Sequence, residues 1–577
     1  MKFLNKFFIV AMVLSLAACG NDPLELDLLD NPNAVTPDRA SLEDLYNGVQ
    51  LNFGGFYQGI WFFTAGMSRM VNANGAYDYQ SAYSPQSFNG TWNNAYAGLL
   101  PDVDALVELA ESRGLDLHAG SAKVMKAYTL VALVDIFGNV PNSQALQGTD
   151  VISPAADNGA DVYASAEALL DEAIAQMSGG NTAAPAADLF YGGNAANWIK
   201  AAKSLKLKMA VSTRLVDGSA TGKVNALISE GDIIDEVSED WQANTGSQRS
   251  NPDSRHPFYS NHYESGDGDY MSNYYMYLLR ADKKDDLGNG IADPRIRYYF
   301  YRQVDDAVNR DVNEYSCHFS NTPDQASKPA HYNAVDPNLP YCVASEDGYF
   351  GRDHLNNEGI PPDGPVRTVY GLYPGGGQFD DDSFSKAQQQ GTTGAMGAGI
   401  FPLLMSSFVD FYRAEAALTM GTSDDPRAML QQGIEHSMEK VKSFGSRVSG
   451  TLSATREVRG GGIATVEELY AINDDRVQSY VDLVLGNYDA ATSDDERLDI
   501  IIKEFYIAAW GNGLEAYNMY RRTGKPGNMA PSLEPNPGPF IRSFFLPSDH
   551  VELNQNANQK NLTDQVFWDN NPADFVY

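Results

Sequence analysis

Helical periodicity fills two stretches of this chain, and a long segment of different character separates them. From Ser41 to about residue 215 and again from about 400 to 525, apolar residues recur at helical spacing. Between them, residues 216–399 are dense in Gly, Asn, Asp, Pro and Tyr. Such composition reads as loops with short strand-like pieces, Arg297 to Tyr301 among them. In the first stretch Ser41 is an N-cap for the residues from Leu42 onward, and Trp92, Tyr96, Leu99 and Leu100 share one helical face. Longer helices are expected at about 122–137, stopped by Gly138 and Pro141, then at 162–177 and 195–215. In the second stretch Phe401, Leu404, Phe408, Phe411 and Leu418 form one stripe. Pro426 opens a helix after Asp425, and Thr465 with Glu468 and Ser493 with Glu496 have capping-box spacing. A last helix through Leu498, Ile501, Ile502, Phe505 and Ala509 ends near Thr523 and Gly524, and residues 526–577 are irregular. Paired helices around a loop-rich insertion imply a mainly α superhelix of stacked helix pairs, although no strict repeat period is visible.

The N-terminus carries an export signal. Lys2 and Lys6 precede an apolar run, Phe7 to Leu16, that is too short to span a bilayer. Leu16-Ala17-Ala18-Cys19 has the form of a bacterial lipobox, in which Cys19 is lipidated and becomes the first mature residue. The alternative is an ordinary signal peptide with an incidental cysteine. Residues 1–18 are read as the signal and 19–40 as a tether. Several acyl chains on one cysteine hold a protein stably on a membrane.

Lys and Arg number 41 against 75 Asp and Glu, a formal net charge of −34, which opposes phosphate binding and argues against nucleic acid. Cys317 and Cys342 remain after Cys19. In an exported chain they form either a disulfide, closing about 25 residues for about 3 kcal/mol, or two free thiols.

Several stretches resemble the SusD/RagB family of outer-membrane nutrient-binding lipoproteins. Ala127 to Leu130 leading to Asp135-Ile136-Phe137-Gly138-Asn139-Val140-Pro141 resembles that family's helix and turn. Asn197-Trp198-Ile199-Lys200, Ala414-Glu415-Ala416, Arg521-Arg522-Thr523-Gly524, Phe545-Leu546-Pro547 with Asn554, and Phe567-Trp568-Asp569 follow in the family's order. Gly351-Arg352-Asp353-His354 with Glu358 to Asp363 is similar to the starch-binding-associated branch. The resemblance implies a right-handed scaffold of four tetratricopeptide-like repeats and an insertion that presents the ligand face. It implies a lid on a SusC-like TonB-dependent transporter at the cell surface, taking glycans or, in some branches, oligopeptides. It implies neither chemistry nor a cofactor.

No zinc, nucleophile-elbow or phosphate-loop motif is present in the sequence. A surface glycan hydrolase and an adhesin are the rival classes. His354 with Arg352, Asp353 and Glu358 is read as a braced loop before a ligand or ion site, and Asp380-Asp381-Asp382 as a solvated charge run before a calcium site. The stronger signal is aromatic, in a chain with 32 Tyr and 26 Phe. A sugar site needs flat apolar faces and polar edges. Tyr77, Tyr79 and Tyr83 lie near Asn72, Asn74, Asp78 and Gln80; Tyr270, Tyr274 and Tyr275 lie near Asp267, Asp269 and Asn273. In the resembling family the ligand platform draws on these two regions. Some of these six tyrosines must belong to the core, whereas Trp61, Trp92 and Trp198 all read as structural.

Overall fold

The structure is a computed structural model. It describes residues 41–576 except 74–76, 266–269, 286–287, 304–327, 342–347, 350, 357–366, 386–390 and 459. Cys19, Cys317, Cys342, Asn74, Asp267, Asp269 and Glu358 to Asp363 lie outside the described residues.

Helices of eight residues or more begin with α1 (Leu42–Met67), α2 (Leu100–Ser112), α3 (Asp116–Phe137), α4 (Gly159–Gly179), α5 (Ala195–Ser212) and α6 (Ala220–Glu230). They continue with α7 (Asn273–Arg280), α8 (Ser406–Met420), α9 (Pro426–Ser443), α10 (Asp474–Ala490), α11 (Asp494–Ala508) and α12 (Gly513–Thr523). Three small antiparallel pairs accompany them: β1 (Trp241–Asn244) with β4 (Ile400–Leu404), β2 (Phe300–Arg302) with β3 (Thr368–Tyr370), and β5 (Thr455–Glu457) with β6 (Ile463–Thr465).

Local signals set many of the boundaries. Ser41 Oγ accepts the amide of Asp44, Asp425 accepts that of Arg427 ahead of Pro426, and Thr465 and Glu468 complete a capping box. Ser493 caps Glu496, but the Glu496 carboxylate turns to Thr492 instead of closing a box. Gly138, at φ +81°, ends α3 where a side chain would be strained.

Four readings are corrected. Phe401 and Leu404 belong to β4, and the helix starts only at Ser406, because the apolar spacing fits either period over so few residues. Ile296 to Tyr299 form a helical turn before the strand Phe300–Arg302. The last helix is two helices, broken at Gly511, whose φ of +94° no helix accommodates. Residues 220–230, inside the span read as insertion, form a helix packed on α5 and α8.

The core runs through both helical stretches. α3 is buried on nearly every face, as a helix enclosed on all sides must be. It packs on α1, α2, α4 and α5, while α8 packs on α5, α9 and α11. α1 lies against α12 so closely that a Cβ on Gly513 would meet the Ala65 nitrogen at 2.3 Å. The irregular C-terminal segment is clamped to α3. Asp135 accepts hydrogen bonds from Asn518 Nδ2 at 2.7 Å and Trp568 Nε1 at 2.9 Å, and Arg521 Nη2 donates to the Asp135 carbonyl at 2.7 Å. Arg542 pairs with Asp569, and the Phe544 amide donates to Ile136. These clamps fix residues 536–565, one wall of the cleft described next.

Candidate ligand cleft

The turn after α1 supplies the other wall. Asp78 caps Tyr79–Ala82, accepting from the Ser81 amide at 2.8 Å and the Ser81 hydroxyl at 2.9 Å. The Tyr79 amide donates to the Pro537 carbonyl at 2.9 Å, which ties this turn to the C-terminal segment. Between the two lies a cleft of about 500 Å³, lined by Asp78 and Gln80 on one side and by Asn536 to Pro539, Phe545 and Asn561 to Thr563 on the other. Pro537 and Pro539 fix their own φ and flank Gly538, which turns at φ +82°. The lining combines apolar plates with amide, hydroxyl and carboxylate edges, the chemistry that covers a sugar ring and holds its hydroxyls.

Of the six tyrosines singled out from sequence, only Tyr77 is exposed, at 43 %, beside Asp78. The other five are corrected to core positions. The Tyr79 hydroxyl accepts from Arg69 Nη2 at 2.9 Å, and Tyr83 donates to the Phe63 carbonyl at 3.2 Å. The ring of Tyr270 is in contact with the guanidinium groups of Arg352 and Arg367, at 4.2 and 4.1 Å from its centroid. Tyr274 donates to Asn528, and Tyr275 donates to the Ile507 carbonyl at 2.8 Å while stacking on Trp510. A buried ring with a satisfied hydroxyl offers no face to a ligand. Burial raises the pKa of Tyr79, and the neighbouring Arg69 only partly offsets it.

Their polar companions divide the same way. Asn72 and Asn273 are buried and bonded to Asn356 and Asp353, whereas Asp78 and Gln80 line the cleft. Arg352 and Asp353 are buried and brace the loop, Arg352 Nη1 donating to the Asn356 carbonyl at 3.2 Å and Asp353 accepting from Asn273 Nδ2 at 3.1 Å. The expected histidine brace is corrected: His354 is buried with no hydrogen-bond partner for either ring nitrogen among the described residues. The aspartate run is not a solvated one: Asp380 is buried against Arg302, Asp381 pairs with Arg456, and Asp382 pairs with Arg297 and Arg302. Trp61, Trp92 and Trp198 are buried. Among the described residues no group of three or more His, Cys, Asp or Glu side chains is placed to hold a metal ion. The cleft residues 536–539 and 561–563 were not singled out from sequence. The one signal available was the run Pro535-Asn536-Pro537-Gly538-Pro539, a rigid turn.

Comparison with known proteins agrees with this architecture. Residues 60–344 match a family described as starch-binding, associating with the outer membrane. Residues 369–564 match the SusD and RagB outer membrane lipoproteins. Solved structures of the same fold include a chitin-binding protein, at 19 % identity and TM-score 0.62, covering 92 % of this chain and 100 % of that one. A SusD/RagB family protein from Bacteroides thetaiotaomicron matches at 18 % identity and TM-score 0.62, over 92 % and 100 % of the two chains. A SusD homologue from Bacteroides fragilis matches at 16 % and 0.61, over 92 % and 99 %. No curated protein sequence matches. Fold and family models together define a helical, outer-membrane-associated nutrient-binding protein. The chain belongs to the SusD/RagB family. Among the described residues no helix is long and apolar enough to cross a membrane.

Proposed function

We propose that this protein captures an oligosaccharide or polysaccharide at the outer surface of the outer membrane, held there by a lipid on Cys19. It hands the ligand to a SusC-like TonB-dependent transporter without altering it. The observation that carries the choice of ligand is the lining of the 500 Å³ cleft, where Phe545, the prolines, Asn561 and Thr563 on one wall face Asp78 and Gln80 on the other. A peptide bound in extended form would seek a row of backbone donors and acceptors. Pro537 and Pro539 have no N–H to give. Sugar recognition needs no such row. The chitin-binding protein of the same fold supports including amino-sugar polymers among the ligands.

Calorimetry tests this with a panel of neutral glucans, N-acetylglucosamine oligomers, acidic glycans and mixed oligopeptides. Saturable binding of a neutral glycan, with no release of new reducing ends, is the expected result. Binding of peptides alone would overturn the glycan assignment, and release of reducing ends would overturn the absence of chemistry.

A further inference from the structure

A second cleft, of about 340 Å³, lies directly behind one wall of the first. Leu546 lines it while Phe545 lines the first cleft, and Lys560 and Asp564 line it while Asn561 to Thr563 line the first. Immediate chain neighbours thus face opposite clefts at three places, so the partition is a single strand of chain thick. Its far wall is the end of α3, from Phe137 to Asn139.

The partition is firmly built. Gln559 accepts the Leu546 amide at 2.9 Å and donates back to the Leu546 carbonyl at 2.8 Å. Asp564 accepts the Asn561 amide at 3.0 Å. The Lys560 ammonium donates to the Phe137 carbonyl at 2.7 Å and to Ser543 Oγ at 2.5 Å, reaching the C-terminal end of α3, where a cation is favoured. Burial pushes the Lys560 pKa down to about 7. Asn139 accepts the Gly159 amide through Oδ1, and Asn558 is exposed on the lining.

We propose that the second cleft is a further subsite for the same ligand, and that a neutral oligosaccharide long enough to cross the 559–563 ridge occupies both. The proposal rests on glycan capture at the first cleft. Five side chains lining the second cleft, Asn139, Asn554, Asn556, Asn558 and Gln565, carry amides, which match neutral hydroxyls and N-acetyl groups. Two of the three Lys560 N–H groups are already bonded, and Asp564 beside it opposes an acidic polymer. Two linked subsites bind one chain more tightly than either alone, provided the ligand spans both.

The test is a length ladder of N-acetylglucosamine and glucose oligomers, from the disaccharide upward, titrated into the full-length protein. Affinity should step up by about tenfold once the oligomer bridges the ridge. Ala557→Trp, which fills the second cleft, should abolish the step and leave short-oligomer affinity unchanged. Hydrogen exchange on the unmodified protein gives a readout that needs no variant: long oligomers, and not the disaccharide, should protect the amides of residues 556–560. A wild-type affinity that does not change with length, or long oligomers that leave 556–560 unprotected, would overturn the second subsite and leave capture at the first intact. Failure of every oligomer to bind would overturn the glycan reading itself, and the subsite with it.

Discussion

The Tyr79 hydroxyl accepts a hydrogen bond from Arg69 Nη2 at 2.9 Å, and both side chains are almost completely buried. Arg69 sits at φ +61° and also donates to the carbonyls of Ala530 at 3.0 Å and Met67 at 2.7 Å. The pair therefore locks the turn that bears Asp78 and Gln80 to the C-terminal segment. Tyr79 shapes the cleft from beneath without facing it.

Tyr79→Phe should accordingly cost stability. Removing the acceptor takes a partner from a buried, charged donor, at about 1–3 kcal/mol. Urea unfolding would show a lowered midpoint at unchanged slope. Full stability with lost ligand affinity would instead place Tyr79 on the ligand face.

A buried ion pair joins the two helical stretches. Lys208 on α5 pairs with Glu515 on α12, at 2 % and 1 % side-chain exposure, and Tyr412 on α8 donates to the same carboxylate. Lys208→Met leaves Glu515 charged and buried and should cost about 3–5 kcal/mol. Lys208→Met with Glu515→Gln should recover part of that loss. Thermal melts of the single and double variants check this, and a double variant no better than the single would contradict it.

The His436–Asp410 pair, at 2.7 Å between α9 and α8, should make stability depend on pH. Burial pushes Asp410 up to about 6, against the pull of His436 and Arg413. For His436 burial opposes the charge, but the hydrogen bond and charge of Asp410, helped by Asp240 and Glu236, prevail and raise its pKa. Arg413 and Lys440 are the cations nearby, Lys440 being paired with Asp240. Both groups hold protons more tightly when folded than when unfolded. Stability from this pair therefore falls as pH rises, first between the ordinary Asp value of 3.8 and about 6, then as pH passes through the raised value of His436. His436→Gln should remove the upper part of that slope in denaturant titrations above pH 6.5. An unchanged slope would contradict it.

The sequence told most where one residue decides a local matter. Ser41, Pro426, Thr465 and Gly524 act where their chemistry places them, because capping and left-handed turns involve few neighbours. The family motifs were legible as patterns, and their physical role is the clamp between Asp135, Arg521 and Trp568. The cleft was half legible: Asp78 and Gln80 stood out, but their opposite wall lies more than 450 residues along the chain, and no local pattern announces such a meeting. The tyrosines misled because a phenol suits a core as well as a surface once its hydroxyl finds a carbonyl, as Tyr275 does at Ile507.

Binding in the cleft between Asp78 and Asn561 is most directly tested by titrating the tightest glycan of the panel into Gln80→Ala with Asn561→Ala. Both side chains are exposed, so the melting temperature should stay within a degree or two while affinity falls by about tenfold, as expected for lost hydrogen bonds to ligand. Unchanged affinity in a stably folded double variant would place the ligand elsewhere on the molecule.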